Sequence, residues 1–260
     1  MNKNIIEIQG RVIMGPTSWN AVKLFLAAGA PIQKLVSGKG DTHLFCINQA
    51  LLILKNDGAI PYARNISNHI EFLNKGVLWA DKGWKNFSHY FDPVVSQGLG
   101  PWPDARLEFD NFFNKALRHW EHGDKGKYYF YLGAALHLIQ DLCVPHHAKG
   151  AAFSGHKEYE NWVLNNYDDF AVEAGGIYNR YSTPRDWLLF NAKLSRCYFP
   201  YVSNIGTDAS YKLATSVLLP LAQRSTAGFL KFAVDFTTIS DRPLINNKPS
   251  LRHSTTPFTH

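Results

Sequence analysis

Cysteine is scarce in this sequence and forms no pattern that could organise a fold. Only three cysteines occur among 260 residues, at Cys46, Cys143 and Cys197, and no Cys-x-x-Cys pair is present. A small odd number excludes a disulfide framework, and the missing pair excludes a zinc site built from paired thiolates. Cys46 and Cys143 stand among apolar residues at helical spacing, so we interpret both as small core residues.

Long hydrophobic runs are missing as well. No stretch reaches the roughly 18 apolar residues that a membrane span needs, so no transmembrane segment is predicted. Residues 22–30 (VKLFLAAGA) resemble the end of a signal peptide, although Glu7 and Arg11 interrupt the segment before them. We therefore interpret residues 1–30 as a leader or N-terminal extension.

Strand alternation and internal repeats are absent from the patterning, and helical spacing dominates. Capping residues and apolar stripes predict helices over residues 41–56, 67–79, 104–120, 132–142, 156–174, 184–198 and 208–236. With 45% hydrophobic residues the chain can bury one sizeable core. We expect an all-α, single multi-helix domain over residues 31–240, followed by an extended tail over residues 241–260 that contains three prolines.

The residues from 127 to 160 concentrate side chains that bind metals. His137 and Asp141 lie four positions apart, which places them on one face of a helix, and His156 and Glu160 repeat this spacing. Pro145 interrupts the first helix, so the chain bends and His147 can point back toward it. Imidazole and carboxylate groups are costly to bury without a partner, and a zinc ion would remove that cost.

The segment HLIQDLCVPHH, followed by GHKEYENW, resembles the zinc-dependent phospholipase C family of bacteria. That family reads H-x3-D-x5-H and then H-x3-E. Residues 41–58 are similar to its first helix, residues 79–93 to its loop and residues 221–232 to its last helix, so the resemblance covers roughly residues 31–240. It implies the helical fold of the phospholipase C and P1 nuclease type, with zinc as the cofactor.

The resemblance also implies a set of zinc ligands, each at a position that matches the family. These are His43, His89, His137, Asp141, His147, His156 and Glu160. The family uses the second to fourth of them for one zinc and the last three for another. A third zinc would use His43 and a bridging Asp141, completed in the family by the amine and carbonyl of an N-terminal Trp. No Trp stands at the matching distance before His43, so two sites are predicted and the third is left open.

By the same resemblance, the expected activity is hydrolysis of phospholipids at the glycerol side of the phosphate, with zinc-bound hydroxide attacking phosphorus. Asp81 matches the carboxylate that orients or deprotonates the water, and Phe87 lies near an aromatic position of the substrate pocket. Lys82 stands where choline-selective relatives have Tyr, which leaves the head-group preference open.

Partners and location follow only from the resemblance. The expected partner is a phospholipid or other phosphodiester, with peripheral contact to a membrane surface, and nothing in the sequence indicates a protein partner. The net charge of +6 is compatible with a phosphate-bearing surface. The family implies a secreted or extracellular protein. If the N-terminal segment is not cleaved, a cytoplasmic protein is expected instead.

Two other functions stay open at this point. Zinc nucleases of the P1 type share the helical fold and a similar H-x3-D-x5-H segment, but their last ligand pair is usually His and Asp after a longer gap. Here Glu160 is the acid, and His156 follows His147 by only nine positions. A non-catalytic, metal-stabilised helical module would keep the zinc ligands and would have no need of Asp81.

Overall fold

The computed structural model describes residues 6–8, 11–13, 39–204 and 206–240. Its helices are α1 (Lys39–Asn56), α2 (Ile60–Ser67), α3 (Ile70–Ala80), α4 (Ala105–Glu121), α5 (Lys125–Asp141), α6 (Pro145–Lys149), α7 (His156–Asn166), α8 (Pro184–Arg196), α9 (Phe199–Val202) and α10 (Asp208–Ser240). Short 3₁₀ helices occupy Gly83–Ser88 and Tyr167–Phe170. The all-α prediction is confirmed. None of the helices in the described ranges is long and apolar enough to span a bilayer.

A short hairpin near the N-terminus was not predicted. Strands β1 (Ile6–Ile8) and β2 (Arg11–Ile13) pair antiparallel, with Ile6 opposite Ile13 and Ile8 opposite Arg11. Isoleucine and valine favour strands because their branched side chains fit a pleated surface. The other residues of the predicted leader, and the predicted tail over residues 241–260, lie outside the described residues.

Most predicted helices differ from the structure by a few residues at their ends, and the helix expected over residues 132–142 begins earlier, at Lys125. Two others differ in kind. The helix expected over residues 67–79 starts later, as α3 at Ile70. Ser67, its expected first residue, is instead the last residue of α2, which begins at Ile60 beside Pro61. Proline favours the first helical turn, where its missing N–H is not needed. The helix expected over residues 156–174 ends at Asn166 and continues as the 3₁₀ turn. Asp104 caps α4 as predicted, since its side chain accepts the backbone N–H of Arg106.

Helix α5 lies at the centre of the core and is buried along most of its length. It packs closely against α3 because both helices carry glycine at the crossing, Gly76 on α3 and Gly133 on α5. A Cβ atom at Gly133 would overlap the carbonyl oxygen of Leu73. This crossing fixes the end of α3 beside the end of α5, and both ends carry predicted site residues.

A second, smaller core joins α1, α7 and α10. Cys46 and Cys143 are buried in it as free thiols beside Tyr159, which confirms the prediction that both cysteines are core residues. Burial raises the pKa of the Cys46 thiol to about 12, so it stays protonated and unreactive at neutral pH. Cys197 is exposed.

Candidate metal centre

The ends of six elements meet at one place and bring every predicted ligand there. His43 comes from the start of α1, His89 follows the 3₁₀ helix, and the last turn of α5 carries His137 and Asp141. Helix α6 supplies His147, and the first turns of α7 supply His156 and Glu160. Asp81 directly follows the last residue of α3. Residues more than 100 positions apart in sequence therefore form one cluster.

Asp141 lies at the centre of the first part of this cluster. Its Oδ2 atom is 2.8 Å from His89 Nδ1 and 3.1 Å from His137 Nε2, and its Oδ1 atom is 3.4 Å from His43 Nε2. Four donors placed tetrahedrally about 2.0–2.1 Å from a zinc ion are roughly 3.3 Å from one another. The donor type and the separations therefore fit zinc, with Asp141 able to bridge two ions.

The second part of the cluster consists of His147, His156 and Glu160, whose ligating atoms all lie within 4.8 Å of one another. His156 Nε2 is 2.8 Å from Glu160 Oε1, and His147 Nε2 is 3.7 Å from the same oxygen. The two parts adjoin, since His147 Nδ1 is 3.8 Å from Asp141 Oδ2. This set of two imidazoles and one carboxylate is typical of zinc sites.

Burial favours the neutral form of two ligand imidazoles, His43 and His89, and a neutral imidazole is what metal binding requires. Desolvation, with repulsion from His137, lowers the pKa of His43 to about 4, and desolvation lowers the pKa of His89 as well. For Asp141, burial is the largest influence and would raise the pKa. The neighbouring His137 and His147 outweigh it and hold the pKa well below its usual range. At neutral pH, His43 and His89 are therefore neutral and the Asp141 carboxylate is ionised.

Gln140 orients His43, a role that sequence reasoning missed. His43 donates its Nδ1 hydrogen to Gln140 Oε1 at 2.7 Å, and Gln140 Nε2 donates to Thr226 Oγ1 at 3.1 Å. These two hydrogen bonds fix the tautomer in which His43 carries its hydrogen on Nδ1, so that Nε2 can face Asp141 as a ligand atom. Thr226 lies 86 residues from Gln140 in sequence, so no local pattern could reveal the pairing.

Hydrogen bonds orient two further ligand imidazoles, His147 and His156, in the same way. His147 donates from Nδ1 to the carbonyl oxygen of His89 at 3.1 Å, which turns its Nε2 toward Glu160. His156 Nδ1 pairs with the Tyr90 hydroxyl at 3.3 Å. His146 is buried outside the ligand set; it stacks on His156, with ring centroids 4.9 Å apart, and donates from Nε2 to the Ser154 carbonyl at 2.9 Å. These contacts limit rotation of the ligand rings.

Asp81 lies at the edge of the cluster. Its Oδ1 atom is 3.9 Å from His137 Nε2, and its side chain is 29% exposed, more than any of the seven predicted ligands. Burial would raise its pKa, but His137 and His89 outweigh that influence and lower it, so Asp81 is ionised at neutral pH. Asp81 can therefore contact a metal or a water held beside the metals.

A cavity of about 230 Å³ opens onto the cluster. Its polar wall includes Asp81, Asn86 and Lys157, and its apolar wall includes Val163 and Leu218. The predicted substrate contact, Phe87, is stacked between Trp84 and Trp102, with ring centroids 5.5 and 5.1 Å apart, while its neighbour Asn86 contributes to the described wall. The role of Phe87 in substrate binding stays a prediction.

Fold and site together define an all-α protein with a buried cluster of candidate metal ligands. Residues 42–203 match the family model described as zinc dependent phospholipase C, which is more than half of the 260 residues. The chain belongs to the zinc-dependent phospholipase C family, a family of hydrolases, as the sequence motifs predicted. The chain therefore depends on zinc.

Named relatives agree with this assignment. The chain is 26% identical over 222 residues to a phospholipase C of Listeria monocytogenes, covering 74% of this chain and 76% of that protein. It is 24% identical to a phospholipase C of Clostridium perfringens, covering 74% of this chain but 59% of that protein. The fold is similar to that of the alpha toxin from Clostridium absonum, with a TM-score of 0.69 at 18% identity, over 79% of this chain and 66% of the toxin.

Proposed function

We propose that the chain hydrolyses the phosphodiester bond of phospholipids at the glycerol side of the phosphate. The observation that carries this proposal is the convergence of three groups of three metal-ligating side chains, one of which includes Asp81, on a cavity that has both a polar and an apolar wall. His89, His137 and Asp141 would hold one zinc, and His147, His156 and Glu160 a second. His43 and Asp141 would contribute to a third. Zinc at such a centre lowers the pKa of bound water and neutralises phosphate oxygens.

The protein's own contribution is orientation and proton transfer. Asp81, ionised and facing the cavity, is placed to accept a proton from a water molecule or to hold that water in line with the phosphorus. Asn86 and Lys157 on the cavity wall provide donors for phosphate or head-group oxygens. The apolar wall provides a surface for the glycerol end of the substrate.

Location enters the same proposal. We place the protein outside the cell, because the phospholipases C of Listeria monocytogenes and Clostridium perfringens that it resembles are secreted bacterial proteins. A new N-terminus between about residues 28 and 37 would provide an amine for the third site near His43. The mass of the natural protein's N-terminal peptide shows whether this cleavage occurs.

The test is Asp81→Asn, which removes the carboxylate charge and keeps the size of the side chain. We expect unchanged folding and zinc content, and a turnover of phosphatidylcholine reduced by roughly 10²-fold or more, the range usual for a general base. The KM value should change much less, because the carboxylate acts mainly in the transition state. Asp169→Asn, on the exposed 3₁₀ turn, is the matched control and should match the unmodified chain.

Three outcomes would contradict parts of the proposal. Near-normal turnover of Asp81→Asn with full metal content would place the base elsewhere. Loss of a zinc ion would make Asp81 a ligand. Hydrolysis of single-stranded DNA in preference to phosphatidylcholine by the unmodified chain would favour the nuclease alternative, and hydrolysis of neither would favour a metal-stabilised module.

A further inference from the structure

Three exposed apolar side chains stand on the two loops that leave the metal centre. Phe153 is 93% exposed, Val94 69% and Val95 53%. The two valines follow ligand His89 by five and six positions, and Phe153 lies between ligands His147 and His156. Clustered apolar exposure of this kind marks a binding surface more often than chance. We name these three residues the apolar rim.

The valine tip of the rim is held rigidly. Asp92 and Gln97 exchange two backbone hydrogen bonds across the turn that carries the valines, at 2.7 and 3.3 Å. The Asp92 carboxylate accepts the Val94 N–H at 2.9 Å. Arg196 Nε and Lys149 Nζ also donate to this carboxylate, at 2.7 and 3.3 Å. The fold therefore keeps the valines exposed instead of letting the turn collapse onto the core.

The loop that carries Phe153 is fixed on both sides of that residue. Ala151 N–H donates to the His146 carbonyl at 3.0 Å, and His146 Nε2 donates to the Ser154 carbonyl at 2.9 Å. The two loops adjoin, because a Cβ atom at Gly150 would be 3.6 Å from the carbonyl oxygen of Gly98. The turn that carries the valines and the loop that carries Phe153 therefore adjoin at Gly98 and Gly150, and both loops start from metal-ligand residues.

We propose that the apolar rim inserts into the lipid–water interface of the bilayer that contains the substrate. This rests on the proposed phospholipid hydrolysis. The side chains at the tip of the rim are apolar and suit the lipid interior. At the base of the rim, Arg196 and Lys149 both pair with the single carboxylate of Asp92, which leaves a net positive charge that would attract lipid phosphates. Insertion would hold the metal cluster near the depth of the phosphate, since both loops connect directly to ligands.

The test compares a rim variant with a matched control. The rim variant combines Val94→Ser, Val95→Ser and Phe153→Ser, and the control combines Ile60→Ser with Phe72→Ser. Ile60 and Phe72 are also exposed, at 50% and 42%, but lie on α2 and the start of α3. Ile60 follows the far end of α1, where Asn56 lies about 20 Å along the helix from His43 at a rise of about 1.5 Å per residue.

Two measurements separate docking from catalysis. Binding is measured by co-sedimentation with sucrose-loaded vesicles of a non-hydrolysable phosphonate analogue of phosphatidylcholine. Turnover is measured on phosphatidylcholine vesicles and on monomeric dihexanoylphosphatidylcholine below its critical micelle concentration. We expect the rim variant to bind vesicles at least about tenfold more weakly and to lose a similar factor of vesicle turnover, while its turnover of the monomeric lipid stays within about twofold. The control should change in neither assay.

Three outcomes would overturn the proposal. Unchanged vesicle binding by the rim variant would show that the rim does not dock. An equal loss on vesicles and on monomeric lipid would show damage to the site. A dimer in lipid-free sedimentation that becomes a monomer in the rim variant would assign the rim to self-association. If the unmodified chain hydrolyses no phospholipid, the proposed function fails, and the co-sedimentation result still decides whether the rim binds lipid.

Discussion

Gly133→Ala tests whether the close crossing of α3 and α5 sets the geometry of the metal centre. The new Cβ atom would overlap the Leu73 carbonyl oxygen and lie 3.0 Å from the Leu73 carbonyl carbon and 3.1 Å from Val77 N. Carbon atoms in contact are normally about 3.5–4.0 Å apart, and the overlap with the oxygen is the more severe, so the helices must separate by roughly 1 Å or more. All three obstacles are backbone atoms, so no side-chain rotation can relieve the overlap.

The energetic consequence can be bracketed. Overpacking of this kind costs about 1–3 kcal/mol, and the higher helix propensity of alanine offsets up to about 1 kcal/mol. We expect a net loss of about 2 kcal/mol in the free energy of unfolding. For a chain of this size that corresponds to a decrease in Tm of roughly 4–8 °C, measured by differential scanning calorimetry of the zinc-loaded protein.

The catalytic consequence follows from the position of Asp81 directly after α3 and of His137 on α5, 3.9 Å away. A displacement near 1 Å at a reacting group can reduce turnover by up to about 10²-fold. Gly126→Ala, also on α5, is the matched control, because its Cβ would lie 3.2 Å from the movable ring of Phe72. If Gly133→Ala is as stable and active as Gly126→Ala, the crossing does not set the site geometry.

Two further predictions concern the ligands. Gln140→Ala should weaken zinc binding at His43 about tenfold or more, because His43 loses the acceptor that fixes its tautomer. Isothermal titration with zinc should then show one weakened site, and an unchanged zinc affinity would contradict this role for Gln140. The zinc-free chain should become less stable as the pH falls from about 6.5 to about 4. The pKa of His43 is lowered from 6.5 to about 4 in the folded state, so over this range the unfolded chain binds a proton that the folded chain does not, and unfolding is favoured. Denaturant unfolding of chelator-treated protein across that range measures the effect, and a flat profile would refute it.

Local patterns predicted the parts of this protein that depend on neighbouring residues. The four-residue spacing of His137 and Asp141 placed both on one helix face, and Asp104 marked the start of α4. The break at Pro145 brought His147 back toward Asp141, with 3.8 Å between their ligating atoms. In each case the cause is helix geometry or capping, which acts over a few residues.

The rest depends on residues far apart in sequence. Gln140 meets Thr226 across 86 positions, and Gly133 meets the backbone of Leu73 only after α3 and α5 have packed. The helix break before α3 and the β1–β2 hairpin were missed because the apolar pattern there is short and fits several structures. Assigning the seven ligands as a set depended on the family resemblance, since single histidines carry too little information.

Zinc content and lipid turnover measured on the same preparation test the central claim most directly. We expect at least two tightly held zinc ions per chain, loss of phosphatidylcholine hydrolysis on chelation and its return on adding zinc. His147→Ala should empty the site of His156 and Glu160 and leave zinc at His89, His137 and Asp141. A gently purified chain that contains no metal, takes up none from added zinc and hydrolyses no phospholipid would contradict the account.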